Sequence, residues 1–238
     1  MTVKVHIWDW PLRLFHWLLV LAVVGSYVTG KLGGSLTEWH GRLGGLVLGL
    51  LIFRLIWGFI GSDHARFISF FPTLPRLVAY LKGEWQGAGH NPVGALAVFA
   101  LLSVLIFLVI TGLFANDDIG FEGPLYPLVD KALSDKLSGK HVWAINILIG
   151  LVGLHIVAIL FYQHIKKADL IAPMLTGKKR LPKNLAPRSI KPIGGLRFLI
   201  GLLISVSVVW GIWDGGFVHY LSPLANAQPL ALVTSSKS

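Results

Sequence analysis

Apolar residues along this chain gather into five long blocks separated by polar stretches. A helix crosses the roughly 30 Å hydrocarbon layer of a bilayer with about 20 mostly apolar residues. Five segments meet that length: Leu12 to Lys31, Trp39 to Ile60, Pro92 to Phe114, His141 to Tyr162 and Gly195 to Trp213. Asn91 is placed to cap the third, with Pro92 at its first helical position. The first run opens directly on Pro11 and is long enough to span, so it reads as a retained helix, not a cleaved signal. "FFPTLPRLVAYLKGEW", Phe70 to Trp85, is too short and too mixed to span and predicts an interfacial amphipathic helix. The stretch after Trp213 is polar. Its "ANAQ", Ala225 to Gln228, resembles a signal-peptidase site, but cleavage there is not expected.

Composition agrees with a membrane protein. Of 238 residues, 54% are hydrophobic and only 13% charged, and mean hydropathy is +0.70. A soluble domain of this length would carry more charge. The formal net charge of +10 would in a soluble protein point to nucleic acid. Here the cations concentrate between the fourth and fifth segments, at Lys166, Lys167, Lys178, Lys179, Arg180, Lys183, Arg188 and Lys191, against the single acid Asp169. That is an orientation signal, and no nucleic-acid partner is expected. The loop after the second segment, with Arg66, Arg76 and Lys82, should share the cytoplasmic side. The loop after the third carries Asp117, Asp118, Glu122, Asp130 and Asp135 and should face the other side. Five spans make this consistent, with the N-terminus cytoplasmic and the C-terminus periplasmic. The absence of cysteine excludes disulfides, thiolate metal sites and covalent CxxCH haem attachment, so any metal relies on His, Met or carboxylate. No internal repeat stands out.

The candidate chemistry lies in the histidines. His141 and His155 are 14 residues apart, which is about 320° beyond three full turns and roughly 21 Å of rise, so both occupy nearly the same helix face. His16 lies near the cytoplasmic start of the first helix and His40 near the outer start of the second. With the fourth helix running from outside to inside, depth pairs His40 with His141 and His16 with His155. Ionisable groups in a bilayer are costly and are either functional or internally paired. Two neutral imidazoles on opposite sides of a flat macrocycle make a six-coordinate b-type haem, suited to electron transfer. The competing reading is interhelical hydrogen bonding, strongest for His40 and His141, which this segmentation puts at helix ends. His164 lies about half a turn away from His155 around the helix and reads as a headgroup histidine. His90 reads as local loop structure, with a quinone or proton role left open. His6, His64 and His219 are assigned no role.

Haem propionates pair with arginine. Arg42 is two residues from His40, Arg13 three before His16, and Arg54 fourteen after His40, on the same face at the inner depth. Snorkelling to headgroups competes for Arg13 and Arg54. Gly41, Gly44, Gly45 and Gly49 let a macrocycle or another helix approach the second span closely.

"WDWPLRLFHW", "WHGRLGGLVLGLLIFRLIWG", "GHNPVGALAVFALL" and "HVWAINILIGLVGLHIVAIL" resemble the bacterial cytochrome b561 family, including the b-type cytochrome subunits of nickel hydrogenases. The resemblance runs from about Val3 to Gly177. It implies an all-α integral membrane fold, a four-helix bundle holding two haem b groups, here with a fifth transmembrane helix. Residues 1–177 would form the di-haem core, and 178–238 the basic loop, fifth helix and external tail. The same likeness assigns iron ligation to His16, His40, His141 and His155. It implies electron exchange in the bacterial inner membrane between the quinone pool and a redox partner. A periplasmic c-type cytochrome or a hydrogenase-like enzyme is the expected partner. Two other readings use the same residues: a superoxide:quinone oxidoreductase, and a haem-free transporter or interaction protein with His and Arg lining a polar path.

Overall fold

A computed structural model describes residues 2–183, 195–216, 218 and 219. Arg188, Lys191 and the "ANAQ" stretch lie outside the described residues. The elements run β1 (Thr2–His6), α1 (Trp10–Leu32), α2 (Thr37–Ile60), α3 (Phe67–Phe70), α4 (Leu74–Leu81), α5 (Pro92–Leu113), α6 (Lys131–His164), α7 (Ile171–Thr176), β2 (Lys178–Pro182) and α8 (Gly195–Trp213). Five of the helices, α1, α2, α5, α6 and α8, are long and apolar enough to cross a membrane. Their outer faces are bare apolar surface, with Leu21 70% and Leu154 63% exposed. Water would not tolerate so large a patch, and lipid would cover it. The protein is an all-α, multi-pass membrane protein.

Local chemistry sets the helix starts. Asp9 accepts the Leu12 amide at 2.7 Å, with Pro11 in the first turn of α1. Asn91 accepts the Gly94 amide at 2.6 Å and Pro92 opens α5, as the sequence predicts. Asp130 accepts the Leu133 amide at 2.7 Å. That third cap starts α6 ten residues before the predicted His141. The extra turns, "KALSDKLSGK", are too polar for a search by hydropathy. They are pinned instead by the buried Ser134, whose hydroxyl donates to the Phe114 carbonyl at 2.7 Å. His141 is therefore well inside a 34-residue helix and not at its end. Of the predicted interfacial segment, Phe70 to Trp85, only α4 (Leu74–Leu81) is a helix of its own; α3 ends at Phe70, and Pro72 beyond it supplies no amide to continue a helix.

The helices pack α1 on α2, α5 on α6, and α2 on both α5 and α8. Leu12, Phe15, Val47, Leu51, Leu105 and Leu148 are among the residues of the shared core. Small residues set the close approaches. A Cβ on Gly25 would lie 3.0 Å from Leu43, and one on Gly45 would lie 3.0 Å from the Trp213 ring. Beyond the spans, β1 and β2 form an antiparallel ribbon with Lys4 opposite Arg180. The ribbon continues into bonds from the Ile7 and Trp8 amides to the Gly177 carbonyl. It lies at the end of the bundle that carries most of the cations, here termed the basic end; the loop between α5 and α6 lies at the acidic end.

Candidate functional site

His40 stands one turn into α2 and His141 ten residues into α6, and their rings meet at the acidic end. The ring centroids are 6.0 Å apart and the planes are nearly perpendicular, at 86°. The Nδ1 of His40 lies 2.8 Å from the Ser26 carbonyl of α1. The Nδ1 of His141 lies 2.8 Å from the Leu108 carbonyl of α5 and 3.3 Å from the Thr111 hydroxyl. A carbonyl only accepts, so each Nδ1 carries the proton and donates. Each ring is left with a bare Nε2 lone pair. This is the arrangement by which a metal-binding imidazole is oriented through its second nitrogen.

Glycines make room for both rings. A Cβ at Gly30 would fall 2.8 Å from His40 Nδ1, and one at Gly112 would fall 3.1 Å from His141 Cε1. The helices thus leave two imidazole-sized seats facing each other.

At the other tier, His16 of α1 and His155 of α6 lie within electrostatic reach of one another. His16 Nδ1 is buried and makes no hydrogen bond. His40 and His141, paired by depth in the sequence, are neighbours in space, and His16 and His155 lie on α1 and α6 at the opposite tier.

The arginines divide differently. Arg42 is exposed near His40, bonded to Glu38, with its guanidinium 5.1 Å from the Trp39 ring. Arg13 donates to the Leu175 carbonyl of α7, and its Nε is buried without a partner. Arg54 is 2% exposed. Its guanidinium sits 4.4 Å from the Phe67 ring at the start of α3, and one of its nitrogens, Nη1, has no partner. Beside it is His90, whose ring contacts Trp8 and Phe70 at 4.5 Å each. Burial, helped by the charges of Arg54, His64 and Lys179, pushes His90 down to about 3. His164 is exposed at the end of α6.

Sequence reasoning missed the groups that orient the rings. The acceptors are main-chain carbonyls, which no residue type announces. Gly30 and Gly112 carry a faint signal, being small residues in otherwise bulky spans. It also missed Asp9, whose carboxylate accepts from Trp57 Nε1 at 3.1 Å and from the Ser62 hydroxyl and so ties α1 to the end of α2.

Could these residues hold haem b? An imidazole nitrogen binds a first-row metal at about 2 Å, so two rings facing across one metal have centroids about 6 Å apart. The observed 6.0 Å separation fits, as do the committed Nδ1 atoms and the glycine seats. Among the described residues no group of three or more His, Asp and Glu is placed to hold a metal, so the nitrogen pairs are the donor sets that suit a macrocycle with two axial positions.

A bundle of apolar helices with His40 facing His141 belongs to the class of membrane b-type cytochromes. Residues 7–177 match the family described as prokaryotic cytochrome b561, and the chain belongs to that family, whose members bind haem b. It is similar to the probable Ni/Fe-hydrogenase B-type cytochrome subunit of Azotobacter vinelandii, at 29% identity over 140 residues, 45% of this chain and 58% of that one. The probable Ni/Fe-hydrogenase 1 B-type cytochrome subunit of Escherichia coli K12 is 25% identical over 146 residues, 47% and 60% of the two chains. The corresponding probable subunit of Bradyrhizobium diazoefficiens is 22% identical over 213 residues, 74% and 86%. The match to the first two spans less than two thirds of their length. No solved structure matches the chain.

Proposed function

We propose that this protein holds two haem b groups in two tiers and passes electrons across the membrane between a quinone and a redox protein. The observation that carries the reading is the facing His40 and His141 pair, each Nδ1 held by a carbonyl of a neighbouring helix. His16 and His155 would form the second tier, about 21 Å along α6 from the first. Haem b, when bound, supplies a one-electron couple. The chain's own part is to hold and to shield. Ser26 and Leu108 fix the tautomers of His40 and His141, so that Nε2 is always the ligating atom. Leu105, Leu108, Ala144 and Leu148 keep water from the space between α5 and α6. His40 with His141, and His16 with His155, would hold the two groups through imidazole nitrogens, and iron so held would supply electron transfer rather than oxygen binding. Arg42 and Arg13 stand near the two tiers as counter-charges for propionates. Arg54 faces the aromatic loop and would serve only a group reaching that loop.

The cation bias sets the basic end in the cytoplasm, with the N-terminus inside and α8 ending on the periplasmic side of a bacterial inner membrane. The names of the relatives support a hydrogenase-like enzyme as the redox partner, with a c-type cytochrome as the other candidate. A dithionite-reduced minus oxidised spectrum of the purified protein, with haem quantification, tests the reading. Two b haems per chain and no carbon monoxide shift are expected. A well-folded protein with no haem, or with a single carbon monoxide-binding haem, would refute it.

A further inference from the structure

The β1–β2 ribbon has one packed face and one bare face. Val3, Val5, Lys179 and Leu181 turn inward, and the Lys179 ammonium donates to the Ala88 carbonyl at 3.4 Å. Lys4, His6, Lys178 and Arg180 stand exposed on the other face. The register puts Lys4 directly opposite Arg180 and His6 directly opposite Lys178. Like charges facing each other across a strand pair destabilise it. Nothing among the described residues offsets them. The ion pairs there are Arg42 with Glu38, Arg66 with Asp63, and Lys131 with Asp118 and Asp135, and none involves the ribbon. The nearby acid, Asp169, is occupied with the Ile171 and Ala172 amides of α7. A fixed scaffold that sets Lys4 opposite Arg180, with Lys178 on the same face, is built for an anionic partner.

The ribbon's place in the fold indicates which one. Helix α7 leads straight into β2 and lies along α1. Arg13 donates to the Leu175 carbonyl and Trp17 Nε1 donates to the Met174 carbonyl at 3.3 Å. Arg13 and Trp17 are one and two turns inside the first span, so α7 sits at interfacial depth and β2 rises from there. Gly177 makes the turn, at φ +79°, where a Cβ would strike the Trp8 carbonyl at 2.7 Å. Ile165 and Leu175 are exposed apolar side chains beside these cations, the pairing found in segments that lie in the lipid interface. His6 is four residues from Trp10, so it stays within about 14 Å of the span's start even on a fully extended chain. Attraction to anionic headgroups decays over roughly 8–10 Å, so it acts most on cations held near the interface, as Lys178 is by following α7 after a single residue.

We propose that the bare face of the ribbon, through Lys4, Lys178 and Arg180, docks the anionic phospholipid headgroups of the leaflet at the basic end. The partner is the lipid layer itself, and the inference is independent of haem content. The test uses the full chain in nanodiscs of phosphatidylcholine alone or with phosphatidylglycerol, comparing wild type with a K4Q/K178Q/R180Q variant. Phosphatidylglycerol should raise the thermal midpoint of the wild type by several degrees, and the triple variant should lose at least half of that rise. In phosphatidylcholine alone the variant should unfold no earlier than the wild type, because it no longer carries the facing cations; an earlier midpoint there would make the ribbon merely structural and overturn the proposal. An equal phosphatidylglycerol effect on both proteins would also overturn it. Stabilisation by soluble polyglutamate in phosphatidylcholine discs, equal to that by phosphatidylglycerol, would assign the face to an acidic protein instead.

Discussion

Replacing Gly30 by alanine tests whether the helices seat His40 as a ligand. The new Cβ would stand 2.8 Å from His40 Nδ1 and 3.0 Å from Cε1, against a ring already held at 2.8 Å from the Ser26 carbonyl. Ordinary contact begins near 3.4 Å, so the imidazole must move by several tenths of an ångström, and the hydrogen bond stretches with it. Overpacking of this kind costs about 1–3 kcal/mol, and the lost hydrogen bond about 1 kcal/mol. Alanine returns roughly 0.5–1 kcal/mol of helix propensity. The net loss of about 1–3 kcal/mol falls on the seat of one ring. Gly25→Ala is the matched control on the same helix. Its Cβ would also find a neighbour at 3.0 Å, but that neighbour is a methyl of Leu43, the flexible end of a side chain. Haem per chain and the midpoint potentials from a redox titration are the readouts. Gly30→Ala should lower the occupancy of one haem or shift its potential and leave the other alone, while Gly25→Ala should retain both. Two unperturbed haems in Gly30→Ala would refute the seating argument.

Two further outcomes follow from the basic end. Asp9→Ala removes the cap of α1 and strands the Trp57 indole N–H and the Ser62 hydroxyl, both in buried residues. A lost cap costs about 1 kcal/mol and a buried unsatisfied donor about 1–3 kcal/mol. Unfolding in detergent should show a loss of about 3–7 kcal/mol with both donors stranded, with Asp9→Asn recovering part of it through its remaining acceptor; a loss below about 0.5 kcal/mol would argue against the network. His90 makes the fold acid-sensitive. The imidazole is protonated below about 6.5 in the unfolded chain, but stays neutral in the folded protein down to about 3 because it is buried. Unfolded chains therefore bind the extra proton first. Stability is complete above about pH 6.5 and declines by about 1.4 kcal/mol per pH unit as pH falls through that window. His90→Gln should flatten the slope between pH 6 and pH 4; an unchanged slope would place the sensitivity elsewhere.

Much of this fold is legible in the sequence because a bilayer leaves a chain few choices. Backbone groups must be satisfied within each span, so the apolar blocks give α1, α2, α5 and α8 to within a few residues. The start of α6 was hidden because its first turns are polar and gain their stability from contacts with Asn116 and Phe114 rather than from lipid. The ribbon was hidden for a different reason. It pairs residues about 175 positions apart, and its strands are too short and too charged to show a period of two. Of the candidate site, the meeting of His40 with His141 could be read because helical rise converts spacing into depth. Arg54 shares a helical phase with His40, yet the structure turns it to Phe67 and Phe70. Phase gives a direction at one level of a helix and does not say what lies there.

The chain beyond the family match is built into the same bundle. The match ends at residue 177, yet Lys178 begins a strand whose every partner lies in β1, and β1 leads through the Asp9 cap into the helix that carries His16. Helix α8 reaches the other tier. Its Trp213 closes on Gly45 at 3.0–3.3 Å and its Val209 on Gly49 at 3.3 Å. Gly45 is five residues from His40 on α2, so the glycine stretch expected to receive either a macrocycle or a helix receives a helix there. Gly41 is closed from another side by Phe121, 2.9 Å from where a Cβ would stand, and Gly44 has open space beside it. One face of α2 is thus filled by α8 and by the loop after α5. The side left open is at Gly44, one turn from His40 on α2 and therefore its neighbour on the helix surface. The fifth helix brings no histidine to the bundle, but it closes on the Gly45 and Gly49 side of α2.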